Sequence, residues 1–203
     1  MRSKTLSRIC SLVILTGTVL VSGLSTSQEP VHRHHELSAV DPNDAAAVQS
    51  ALQAIEPDFE LVGRDGRTVR DEDFQGRYVL LGFGFTRCTD VCPLMALNMA
   101  RVLQAVQRPA AGIFISVDTE RDTPEIVDRY TRRFDERIVG LSGSIEQINA
   151  AVQNFNARYV VTKTQDAITV QHTSHIYAID PAGEVIDTFA FMTPAQEIAA
   201  ALE

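Results

Sequence analysis

The chain is short of cysteine, short of positive charge and short of long apolar runs, and each scarcity removes a class of function. Its 203 residues hold three cysteines, Cys10, Cys88 and Cys92. A structural zinc site asks for four protein ligands, and beyond the N-terminal segment there is no third cysteine to help supply them. Lysine and arginine number 18 against 26 aspartates and glutamates, for a formal net charge of −8, and no Lys/Arg cluster is present. Phosphate binding needs a basic face, so nucleic acid is not an expected partner. The N-terminal apolar stretch, residues 9–24, is interrupted by Ser11, Thr16, Gly17, Thr18 and Ser22. At a helical rise it reaches about 24 Å, short of a hydrocarbon core of roughly 30 Å. There is no internal repeat.

What precedes and follows that stretch sets the expected compartment. Arg2, Lys4 and Arg8 stand before it, the charge-then-apolar order of a secretory signal. Small residues at Val21-Ser22-Gly23 or Gly23-Leu24-Ser25 offer a cleavage point without the Ala-x-Ala pattern, so residues 1–24 read as a cleaved signal peptide or a signal-anchor. The expectation is an exported protein, periplasmic or membrane-anchored facing the periplasm, with membrane contact only through this segment if it stays uncleaved. Cys10 lies at the start of the apolar run and not after it, which does not fit a lipoprotein cysteine. Loss of residues 1–24 removes three positive charges and no negative ones, moving the net charge from −8 to −11. Cys88 and Cys92 then remain as an even pair where dithiols tend to oxidise, so a reductant or a metal must attend them.

Residues 25–58 read as a linker. His32, His34 and His35 cluster around Arg33, either as a solvated stretch or as an auxiliary metal-collecting site. Asp41-Pro42-Asn43-Asp44 offers caps for a short helix over 45–55 that Glu56-Pro57 ends. Residues 59–203 are long enough to bury one core of their own. Apolar residues at 59–62 and 68–69 flank Gly63-Arg64-Asp65-Gly66, a hairpin signal, and residues 78–85 form an apolar run suited to a central strand. Helical spacing follows over 94–106, a strand over 113–117, and a helix over 124–134 with Thr123 as N-cap and Pro124 at its first position. A helix over 145–155, strands at 158–161, 174–179 and 185–191, and a closing helix over 194–202 complete the order. Strand, helix, strand, helix implies parallel pairing. The expected class is α/β: a thioredoxin-like fold, a central mixed sheet flanked by helices, with an added hairpin.

Cys88-Thr89-Asp90-Val91-Cys92-Pro93 places two thiols where the central strand becomes a helix. A helix N-terminus offers unpaired N–H groups and a positive dipole end, which favour thiolate and point to Cys92 as nucleophile or metal ligand. The plain alternative is a structural disulfide or two buried thiols.

The stretch Phe83-Gly84-Phe85-Thr86-Arg87-Cys88-Thr89-Asp90-Val91-Cys92-Pro93 resembles the signature of the SCO/SenC copper proteins. Three further segments resemble the same family in the same order: residues 115–124, the glycine turn Gly140-Leu141-Ser142-Gly143, and Val170-Gln171-His172-Thr173 with Tyr177 beyond it. The resemblance implies a mononuclear copper site built from Cys88, Cys92 and His172, and a metallochaperone supporting assembly of the binuclear copper site in cytochrome c oxidase subunit II. Copper donor proteins and thiol reductants are the other implied partners. Two thiolates suit Cu(I), and an imidazole is acceptable to Cu(I) and Cu(II). His175 competes with His172, although on one extended stretch the two would face opposite sides. Thr89, Thr119 and Gln171 depart from the family pattern, which commonly has proline, proline and aspartate there; Thr89 and Gln171 bear on affinity and potential.

Two other readings use the same thiols. A metal-independent thiol-disulfide oxidoreductase would attack with one of Cys88 and Cys92 and resolve with the other, without His172. A thiol peroxidase is suggested by Thr89-Asp90-Val91-Cys92, but Phe85 stands where that pattern expects proline. Asp118, Glu120, Arg121 and Asp122 read as a solvated or salt-bridged loop, assigned to support or partner docking. Phe83, Phe85, Phe114 and Tyr177 read as core residues, and Gly84 as a point of close backbone approach.

Overall fold

Helix α1 (Ala45–Gln53) starts where Asp44 accepts the N–H groups of Ala46 and Ala47, each at 3.1 Å. The computed structural model describes residues 44–203 apart from Asp166. The expected leader over 1–24 and the histidines at 32, 34 and 35 lie outside the described residues. Within the stretch read as a linker, α1 buries Leu52 in the core beside the sheet. No described helix is long and apolar enough to cross a membrane.

The expected hairpin is β1 (Glu60–Val62) paired antiparallel with β2 (Thr68–Arg70). β3 (Tyr78–Gly84) follows and leads into α2 (Val91–Ala105). β4 (Ala110–Ser116), α3 (Pro124–Thr131) and β5 (Ile138–Leu141) continue the alternation, and α4 (Ile145–Asn154) comes next. A two-stranded ribbon, β6 (Tyr159–Lys163) and β7 (Ile168–His172), precedes β8 (His175–Ile179), β9 (Val185–Ala190) and α5 (Ala195–Ala201). The main sheet has the order β5-β4-β3-β8-β9, with β3 central, parallel to β4 and antiparallel to β8. This is the mixed sheet, helices and added hairpin of the thioredoxin-like plan.

Strand alternation sorts the core into two faces. Val79, Leu81 and Phe83 of β3 pack with α1, α4 and the hairpin, whereas Leu80 packs with α2, α3 and α5. Met95, Met99 and Leu103 of α2 are buried against that second face, each contributing about 1.5–3 kcal/mol by the usual area estimate. α2 begins three residues before the helix expected from spacing. Pro93 is tolerated in its first turn because an N–H there has no partner within the helix.

Two elements differ from expectation. The glycine turn is partly strand: Gly140 and Leu141 belong to β5, the sheet edge. Gly140 permits the α3 backbone to approach, since a Cβ there would lie 2.5 Å from the Val127 carbonyl carbon. β7 was not expected as a separate strand. Its mainly exposed residues lack the apolar run that marks a buried strand, and only the alternation of Ile168, Val170 and His172 with Thr169 and Gln171 betrays it.

Candidate metal centre

The site forms at the end of β3, where the chain must turn into α2. Gly84 clears the way: a Cβ there would lie 2.5 Å from Phe114 Cζ and 3.1 Å from Cys92 Sγ. The turn is closed by Cys88 N–H donating to the Phe85 carbonyl at 3.3 Å. Cys92 sits in the first turn of α2, fully buried, and Cys88 lies half-buried just ahead of the helix. Both are free thiols.

The first-turn N–H groups point back out of the helix, toward the residue that precedes it. Cys92 N–H accordingly donates to Cys88 Sγ at 3.4 Å. Burial pushes the Cys88 thiol up, but the backbone N–H groups of Cys92, Asp90 and Val91, with the Cys92 side chain, outweigh it and hold Cys88 below the usual thiol range. Cys92 goes the other way. Burial raises its pKa, the neighbouring Cys88 sulfur adds to the rise, and the Phe85 and Cys92 backbone groups offset only part. The activated thiol is therefore Cys88, which corrects the expectation for Cys92. Helix position alone does not activate a sulfur carried to the side of the helix, under the sheet.

His172 arrives from the end of β7, and its Nε2 lies 3.3 Å from Cys92 Sγ. Nδ1 stands 2.9 Å from the Thr173 carbonyl, which only a protonated nitrogen can bond, leaving Nε2 to accept from the Cys92 S–H. Burial lowers the His172 pKa and the Thr173 carbonyl counters in part, so the ring is neutral at pH 7. Phe85 meets it edge-on, with ring centroids 5.9 Å apart at 89°. His175 is exposed and starts a different strand, with Thr173 and Ser174 between the two histidines, so they do not alternate along one strand, and it is His172 that lies beside Cys92.

Cys88, Cys92 and His172 are thus brought together through two contacts that share Cys92. Among the described residues no group of three His, Cys, Asp or Glu side chains stands in a closed ligating arrangement. Thr89 and Gln171 are both exposed.

The acidic loop takes the salt-bridged form of the two expected, with part of it buried. Asp118 and Asp122 are 4% and 1% exposed. Arg121 Nε donates to Asp118 at 2.5 Å, and Lys163 of β6 pairs with the exposed Glu120. Asp122 accepts from Thr86, two residues before Cys88. In the sequence it stands among charged neighbours and is not distinguished from them. The usable signal was its place just past a central parallel strand, where functional loops gather in open α/β sheets.

A family model described as SCO1/SenC matches residues 47–203. SenC of Rhodobacter capsulatus is 32% identical over 187 residues, covering 90% of this chain and 83% of its own length. The copper-bound structure of ScoI from Bradyrhizobium japonicum is 34% identical with a TM-score of 0.65, covering 72% of this chain and 96% of that one. BsSco, described as a member of the Sco family of cytochrome c oxidase assembly proteins with a disulfide switch, is 27% identical with a TM-score of 0.59, covering 74% of this chain and 95% of that one. The chain spans 52% of the length of the mitochondrial SCO1 homolog 1 of Arabidopsis thaliana.

Proposed function

The chain belongs to the SCO1/SenC family, and from that premise we propose that it is an exported copper carrier serving assembly of the binuclear copper site in cytochrome c oxidase subunit II. Residues 1–24 act as the export leader and the tether lies between them and α1, while α1, whose Leu52 is in the core, belongs with residues 59–203 to the copper-binding domain. Copper is the cargo, taken as Cu(I) or Cu(II) by Cys88, Cys92 and His172. The observation that carries this reading is the contact of Cys92 Sγ with His172 Nε2 at 3.3 Å, while Cys88 Sγ sits on the Cys92 N–H. Two sulfurs and one neutral imidazole suit copper, and three protein ligands leave it open to exchange. Support comes also from the copper-bound Bradyrhizobium relative and the assembly role named for BsSco.

The donor set suggests an order of events. Cys88, more exposed and held toward thiolate, receives the ion first. Cys92 then gives up the S–H that His172 Nε2 holds, which frees a sulfur and a ring nitrogen together. Metal uptake in this reading releases protons.

One observation also favours thiol exchange. A half-buried, activated Cys88 beside a fully buried Cys92 is the division between attacking and resolving thiols. The two readings part at His172, which copper transfer needs and dithiol exchange does not. Purified wild type is expected to hold one copper, and His172→Ala to lose Cu(II) and fail to support oxidase assembly in a deletion strain at low copper. Full oxidase activity with His172→Ala would hand the function to thiol reduction.

A further inference from the structure

Asp122 is the most fully hydrogen-bonded carboxyl group near the thiols, and all its side-chain donors are neutral. Oδ2 accepts the Thr86 backbone N–H at 2.7 Å and the Ser116 hydroxyl at 2.6 Å, and Oδ1 accepts the Thr86 hydroxyl at 2.6 Å. Its own carbonyl accepts the Ser142 hydroxyl at 2.7 Å, and its N–H donates to the Asp118 carbonyl at 3.0 Å. A carboxyl group 1% exposed is costly to bury, and close donors at both oxygens are what make it tolerable.

The bonds join three segments that are far apart in the chain. Ser116 ends β4, Ser142 follows β5, and Thr86 opens the loop that carries Cys88. Beyond Thr86 that loop has few anchors, with Arg87, Thr89 and Asp90 exposed and the turn bond from Cys88 N–H to Phe85 long at 3.3 Å. Thr86 is gripped at its backbone and its hydroxyl together, which fixes the direction in which the chain leaves it.

We infer that Asp122 is a positioning residue for the dithiol: through Thr86 it holds the Cys88 loop in the reduced geometry, with Cys88 Sγ on the Cys92 N–H at the start of α2. The role rests on the geometry of the thiols and not on the metal assignment. Loosening the loop releases Cys88 Sγ from the Cys92 N–H that favours the reduced form, so the pair oxidises more readily. The exchange is balanced: two thiols become one disulfide as glutathione disulfide becomes two glutathiones.

The test equilibrates the copper-free protein in glutathione buffers and counts free thiols by alkylation and mass spectrometry. Asp122→Asn and Thr86→Val are expected to shift the equilibrium about tenfold toward the disulfide, roughly 30 mV for a two-electron couple. Thr86→Ser keeps the hydroxyl and is expected to match wild type. Ser116→Ala removes a bond to the same carboxylate that does not touch the loop and is expected to shift the equilibrium less than about threefold, even where it lowers the melting temperature. If Asp122→Asn fails to fold, Thr86→Val and its rescue by Thr86→Ser carry the test. A Thr86→Val shift no larger than that of Ser116→Ala, or no rescue by Thr86→Ser, overturns the inference. No copper is present in these measurements, so failure of the copper reading would leave their outcome untouched.

Discussion

Cys92 reaches the site on a helix whose inward side chains, Met95, Met99 and Val102, are wholly buried, whereas His172 reaches it at the end of a ribbon that leaves Val160 57% exposed and Ile168 36% exposed. The cysteine side rests on the central strand, on the packing of α2 and on the Asp122 bonds. The histidine side rests on peripheral contacts: Tyr159 Oη donating to Asn149 at 2.7 Å, the exposed Lys163–Glu120 pair, and Thr173 N–H donating to the Arg158 carbonyl at 2.9 Å. Elements with few buried contacts and solvent-exposed hydrogen bonds open at lower free energy than a packed core. In the proposed copper role, thiols on a fixed platform and an imidazole on a lightly held arm would let the site close on an ion and then release it.

The largest effect is expected on the platform side. Cys88→Ser or Cys92→Ser should weaken copper binding by more than about 100-fold, beyond the roughly 10–100-fold typical of losing a partner that only orients a ligand. Competition with a copper chelator measures this. Oxidation to a Cys88–Cys92 disulfide should act in the same way, with uptake restored by reduction. Either serine variant binding copper as tightly as wild type would remove the platform from the picture.

A middle-sized effect separates the two thiols. Cys88 should be alkylated at least about tenfold faster than Cys92, with its rate already rising below the usual free-thiol pKa of about 8.5. The sign follows from the opposed shifts: donors at the helix start pull Cys88 down, and burial pushes Cys92 up. Peptide mapping after brief iodoacetamide treatment across pH 6–9 checks the order, and Cys92 reacting first would reverse it.

The smallest effect belongs to the arm. Lys163→Ala removes an exposed ion pair and should cost less than about 1 kcal/mol of stability in a denaturant titration. If it instead unfolds the protein cooperatively at much lower denaturant, the ribbon is part of the core and the contrast between the two sides disappears.

Much of the fold was legible because local patterns are reliable where burial is strong. Residues 78–85 and 113–117 read as strands because both faces of β3 and β4 are covered, and Thr123-Pro124 marked a helix start that its own side chain caps. β7 escaped because a two-stranded ribbon buries little and leaves a weak pattern. At the site, residue chemistry pointed to the cysteine pair but left His172 and His175 as rivals, and the family resemblance chose between them. Asp122 was seen only as one charge among four.

By itself the sequence determined that two thiols would stand between a buried strand and a helix, since apolar runs and turn residues act over a few neighbours. Tertiary structure alone decided which sulfur collects the helix N–H groups and which is desolvated, because both depend on what packs over each sulfur atom. It also decided that His172 would meet a cysteine 80 residues away and that Asp122 would be buried holding Thr86. Neither contact has a local cause: each exists because separate segments converge at one end of the same sheet.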